Sequence, residues 1–97
     1  MNSCFLKTKN LRYKEFIISL DGTTINFSRQ ARDQGEVKVR HSTDIKGAHV
    51  KMGTMEIEQN SQQCYYSIVV MLTPNMMQSV YFESKSLRKS WYHALLA

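Results

Sequence analysis

The sequence predicts a mainly β fold: a seven-stranded, bent antiparallel barrel capped by one C-terminal α-helix. Three observations carry that prediction. In the last fifteen residues, Leu87, Trp91, Ala94 and Leu95 fall at i, i+4, i+7 and i+8, a single apolar stripe along a helix. Upstream, nearly every apolar segment is short and alternates with period two. Between two such segments stands Asp21-Gly22, the clearest hairpin signal in the chain, because both residues tolerate the positive φ of a type I′ turn. A lone amphipathic helix after many strands implies a sheet that cannot close by itself and a helix that plugs its open end. Trp91, the only tryptophan, is the expected plug, with Leu87 and Leu95 beside it. Ser84 is the expected N-cap, its hydroxyl placed to accept from an orphan N–H of the first turn.

The strands follow in order. Cys4 to Lys9 reads as the first and Arg12 to Leu20 as the second, which carries Phe16, Ile17 and Ile18. After the Asp21-Gly22 turn, Thr23 to Arg29 alternates Ile25 and Phe27 against Thr24 and Asn26. Gln30 to Gly35 is a charged, polar loop; Val37 and Val39 mark a fourth strand; Thr43 to Lys51, with Ile45 and Val50, is expected to hold a fifth. Glu58 to Gln63 is polar throughout and reads as a loop. Tyr65 to Leu72 is the most apolar strand and belongs at the centre of the sheet. Pro74-Asn75 turns the chain into the last strand, Gln78 to Phe82.

Ninety-seven residues make one domain, 1–97, with a single core. An apolar content of 42% places it in the globular class and not among disordered chains. A net charge of +5 and a pI near 9.4 favour acidic partners: phosphates, nucleic acid or an anionic membrane. Cys4 and Cys64 stand apart with no C-x-x-C, so two free thiols in a reducing, cytoplasmic compartment are expected. No apolar run is long enough to span a bilayer, and nothing resembles a signal peptide. The sequence ends inside its helix pattern without a Gly or Pro stop signal, which points to a module cut from a longer protein.

Register then exposes a candidate site. With Asp21-Gly22 as a two-residue loop, Ile18 faces Ile25, Phe16 faces Phe27 and Lys14 faces Arg29. With an even-numbered first loop about Asn10-Leu11, Phe5 faces Phe16, Lys7 faces Lys14 and Lys9 faces Arg12. One face would carry a Phe5/Phe16/Phe27 row and, two positions along, a Lys7/Lys14/Arg29 row, with Lys9 and Arg12 beyond it. A three-residue first loop would flip this parity. Like charges directly opposed across strands destabilise a sheet. Such a row at a barrel's mouth is therefore read as an anion site, against the alternative of a solvated lysine edge that blocks strand pairing.

On these residues the chain resembles a pleckstrin-homology (PH) domain over nearly its whole length. Trp91, within Phe82-Glu-Ser-Lys-Ser-Leu-Arg-Lys-Ser-Trp91, is similar to the tryptophan of that family's capping helix. Arg12 to Phe27 looks like the family's second and third strands. Phosphoinositide-binding members end strand one with a basic residue and open strand two with Lys/Arg-x-Arg-x and two hydrophobics. Lys7 is similar to the first feature, and Arg12-Tyr13-Lys14-Glu15-Phe16-Ile17 to the second. The stretch from Asp44-Ile45 to Val50-Lys51-Met52-Gly53 loosely resembles phospholipase C and protein kinase B types. Three features depart from the pattern. Lys14 replaces the usual arginine, turning a bidentate grip on phosphate into a point charge. The loop between Lys7 and Arg12 is shorter than in strong binders of 3-phosphoinositides, and Phe27 stands where some binders use a tyrosine hydroxyl.

The resemblance implies a monomeric module that binds phosphoinositides in anionic membranes through Lys7, Lys9, Arg12, Lys14 and Arg29, recruited peripherally from the cytoplasm. The alternative is a protein-interaction or autoinhibitory domain that docks a partner or another domain of its parent chain. Neither an enzyme nor a cofactor is expected. His41, His49 and His93 have no metal-ligand spacing, and no Ser-His-Asp or Cys-His arrangement can be argued. Only Tyr13 interleaves an aromatic ring with the basic residues, so nucleic acid is not expected as a partner. Met76 and Met77, beside Pro74-Asn75, either return to the core or dip into a bilayer.

Overall fold

The computed structural model describes residues 2–30 and 35–96. The elements run β1 (Asn2–Lys7), β2 (Tyr13–Asp21), β3 (Thr24–Gln30), β4 (Val37–Asp44), β5 (His49–Ile57), β6 (Cys64–Thr73), β7 (Met76–Phe82) and α1 (Lys85–Leu96). All seven strands form one antiparallel sheet in the order β4-β3-β2-β1-β7-β6-β5. The sheet curls over: Thr43 of β4 donates to Gln78 of β7 at 2.8 Å, although three strands separate them in the ladder. With the helix closing it, the arrangement is PH-like. Of the loop at Gln30 to Gly35, residues 31–34 lie outside the described residues.

Alternation builds the core. Phe16 and Ile18, Ile25 and Phe27, and Ile68 and Val70 are buried on one face, from β2, β3 and β6. Leu95 enters this core from α1 at 7% exposure, while Leu87 and Trp91 pack against it half-buried. The deepest part of the plug is thus Leu95, with the indole lying along the rim. Ser84 caps α1 as expected: its Oγ accepts from the Leu87 N–H at 3.0 Å. The opposite face carries a second cluster of Phe5, Tyr65 and Tyr81, with Tyr13 against it.

Two registers differ from the sequence reading. In the first hairpin the Leu11 N–H donates to the Thr8 carbonyl at 3.0 Å, and the Thr8 N–H to the Arg12 carbonyl at 2.7 Å. The loop is therefore Lys9-Asn10-Leu11, a three-residue connection closed by Leu11 in the left-handed region at φ 62°. Cys4 faces Phe16, Leu6 faces Lys14 and Lys7 faces Tyr13. The odd-numbered loop flips β1, so Phe5 and Lys7 leave the core face and Cys4 and Leu6 take it.

In the second hairpin the turn is Gly22-Thr23, with Asp21 opposite Thr24 and Ile18 opposite Phe27. Positive φ at Gly22 (61°) but not at Thr23 is the type II′ pattern. This shift of two residues keeps Phe16 and Phe27 on one face but removes Lys14 from its place opposite Arg29. A boundary moves as well. β4 continues to Asp44, and the chain turns at 45–48 around Gly47 (φ 77°), so the expected strand at Thr43 to Lys51 spans a turn.

Candidate anion site at the barrel mouth

Phe16 is the floor of the site. It lies on the core face of β2 at 4% exposure. Two residues along the same face, Lys14 holds its Nζ 6.0 Å from the ring centre. From β3, the Arg29 guanidinium carbon lies 5.8 Å from that centre. From β4, His41 meets the ring edge-on, at 5.6 Å between centroids and 67° between planes. Three side chains able to carry positive charge, from three consecutive strands, thus converge on one aromatic ring. Lys38 joins them, because it stands directly opposite Arg29 and leaves the same face of the sheet.

A β-bulge builds the β4 side of this group. Phe27 faces His41 while the next residue, Ser28, faces Val39, leaving Arg40 unopposed. The extra residue brings His41 and Lys38, an odd number of residues apart, to the same face. Opposed like charges at Arg29 and Lys38 destabilise the sheet. The ring offsets part of this, since a cation over an aromatic face contributes about 0.5–1 kcal/mol at exposed sites. Among the described residues, Lys14, Arg29 and Lys38 have no carboxylate within salt-bridge distance. Beside them opens a cleft of about 470 Å³ lined by Leu6, Lys7, His41, Thr43, Met77 and Gln78.

The five residues read from the sequence divide into three groups. Lys14 and Arg29 meet at the mouth. Lys9 and Arg12 are exposed at the hairpin loop, outside the strands. Lys7 is turned to the second face, where its Nζ donates to Glu56 Oε1 at 2.8 Å. The Lys7/Lys14/Arg29 row therefore does not form: the three-residue first loop turns Lys7 away, and the shifted second hairpin moves Lys14 from opposite Arg29. His41 and Lys38 escaped the sequence reading because strand alternation places them on opposite faces and a bulge carries no sequence mark strong enough to override it.

Lys7 belongs instead to a closed network. Tyr13 donates to Glu56 Oε1 and Tyr81 to Glu56 Oε2, both at 2.9 Å. Tyr13 stacks on Tyr65, with 4.3 Å between centroids and 15° between planes, and meets Tyr81 edge-on at 5.0 Å. Burial first, and then the bond to Glu56, push the Tyr13 and Tyr81 hydroxyls up to about 12, which keeps both as donors. Burial works to raise the Glu56 carboxyl, but the bonds from Lys7, Tyr81 and Tyr13 outweigh it and hold the group below its ordinary range. Every strong donor near Glu56 is satisfied, so this cluster is structural in chemistry.

Among the described residues no group of three or more His, Cys, Asp or Glu side chains could hold a metal ion. No described helix is long and apolar enough to cross a membrane. The chain matches no family model and no curated protein at a significant level.

Proposed function

We propose that this is a PH domain of the phosphoinositide-binding type, a membrane-recruitment module whose mouth takes a phosphoinositide head group over Phe16. The observation that supports this reading is the convergence of Lys14, Arg29 and His41 on the Phe16 ring. A multiply phosphorylated head group there relieves the mutual repulsion and gains charge-assisted hydrogen bonds, each on the order of 1.5–3 kcal/mol. Arg29 supplies the bidentate grip and Lys14 the point charge. Lys9 and Arg12, on the exposed loop, add general attraction of about 1 kcal/mol per basic residue near an anionic surface, screened by salt. On this reading the protein is a binding module and not an enzyme, and it reaches the membrane from the cytoplasm.

A second reading is favoured by one feature. Met52, Met55 and Ile57 are exposed on the edge strand β5, at 41%, 50% and 50%, and share one face opposite Ile68, Tyr66 and Cys64. An extended peptide could add there as a further strand, in the manner of a protein-interaction domain. Liposome sedimentation separates the two. Vesicles with and without phosphoinositide are compared at equal surface charge and physiological salt. A preference for phosphoinositide supports the head-group site; equal binding makes the mouth only a basic surface and puts the peptide reading ahead.

A further inference from the structure

We infer that the β6–β7 hairpin tip enters the hydrocarbon layer of an anionic bilayer, with Met76 and Met77 as the inserting side chains. This rests on the head-group reading of the mouth and adds a second, apolar contact to it. Leu11, Met77 and Met76 are the most exposed of the large apolar side chains described, at 66%, 63% and 57%. Met77 borders the mouth, and Met76 precedes it at the start of β7. Met77 shares the 470 Å³ cleft with His41, and Leu11 lines a second cleft of about 280 Å³ that meets the first at Lys7.

The tip is built to leave water. From Tyr65 to Phe82 the chain contains no charged residue, so its entry into lipid requires no ion to be dehydrated. Among the described residues β7 pairs with β1 only at Phe5–Tyr81, so in the ladder the strand's start is paired with β6 alone, with Thr43 of β4 reaching Gln78 across the curl of the sheet. Its turn is internally satisfied in part, the Asn75 N–H donating to Thr73 Oγ1 at 3.3 Å. Methionine is flexible and unbranched, which suits a disordered acyl environment.

The charge around the tip fits a bilayer. Lys14 and Arg29 at the mouth, with Lys9 and Arg12 on the neighbouring loop, match the head-group layer while the methionines reach below it. Glu56 and Glu58 are engaged on the second face, where Lys7 pairs with the first and Arg12 acts on the second.

The test compares the chain with its Met76→Ser/Met77→Ser variant in two assays. One is partition onto phosphatidylcholine vesicles containing phosphatidylinositol 4,5-bisphosphate; the other is affinity for soluble inositol 1,4,5-trisphosphate. The proposal expects vesicle partition to fall by about tenfold or more, with soluble affinity within about twofold. Unchanged partition beside retained soluble affinity overturns insertion and leaves the mouth reading standing. Loss of neither, with no soluble affinity in either protein, overturns both. An environment-sensitive fluorophore on Met77→Cys, in a Cys64→Ser background, reads the tip directly. A blue shift on adding vesicles supports insertion, and unchanged emission contradicts it.

Discussion

The Lys7 ammonium donates to the Glu56 carboxylate at 2.8 Å, within the network that also holds Tyr13 and Tyr81. That bond engages the Lys7 ammonium with a carboxylate; on the proposed reading, Lys14 and Arg29 carry the anion chemistry. The bond also joins β1 to the edge strand β5, two elements with β7 and β6 between them in the sheet.

The Glu56 network sets an acid limit on stability. Its carboxyl is held below its ordinary 4.5 in the folded chain, so its contribution is complete above that value and is lost as pH falls through the folded value. Glu56→Gln is expected to cost about 1–3 kcal/mol at neutral pH, because it leaves buried donors poorly matched. Its melting temperature should then vary less than wild type as pH falls from neutrality through the carboxylate range. Thermal melts across a pH series check this; parallel curves for the two proteins would show that Glu56 does not carry the dependence.

Gly53 is required by close packing and not by its backbone conformation. A Cβ placed on it meets the Ser67 hydroxyl, itself buried and donating to the Thr54 carbonyl at 2.9 Å. Gly53→Ala is expected to destabilise by about 1–3 kcal/mol through overpacking. Gly53→Ala/Ser67→Ala should recover part of that loss. Chemical denaturation of the single and double variants measures the coupling, and strict additivity would rule out the clash.

The two cysteines should react very differently. Cys4 is fully buried on the core face of β1, and burial, aided by Glu15, pushes its thiol up to about 12. Cys64 opens β6 and is only half-buried. Native alkylation followed by mass spectrometry is expected to modify Cys64 well before Cys4, since the thiolate is the reacting species. Equal labelling under native conditions would mean that β1 opens readily.

On the capping helix, Leu95→Ala is expected to cost about 2–5 kcal/mol, the range for a buried leucine. Trp91→Ala, at the rim, should cost about 2–3 kcal/mol, below a fully buried tryptophan. Denaturant midpoints decide the order. A Trp91 variant that fails to fold while the Leu95 variant folds would return the plug to the indole.

Much of this fold was legible because period-two alternation marks the core: Phe16, Ile18, Ile25 and Phe27 all lie where the pattern places them. Ser84 and the Leu87-Trp91-Leu95 stripe fixed the helix in the same way. Single-residue choices in loops were not legible. Leu11 adopts a left-handed conformation usually left to glycine or asparagine, and that makes the first loop three residues long. Parity propagates along a strand, so this one residue sends Lys7 to Glu56 and replaces it with Leu6 at the mouth. The bulge at Arg40 had the converse effect, adding His41 and Lys38 to a face where alternation would admit only one of them. Glu56 was invisible as a partner for Lys7, because the expected fifth strand ended before reaching it.

The central claim is that Lys14 and Arg29, above Phe16, bind the head group and Lys7 does not. Isothermal titration with soluble inositol 1,4,5-trisphosphate at physiological salt tests it most directly. Lys14→Ala/Arg29→Ala is expected to weaken binding by roughly 100-fold, two lost charge-assisted bonds, while Lys7→Ala stays within about threefold of wild type. A double variant that binds like wild type, or a Lys7→Ala variant that loses as much as the double, would contradict the site.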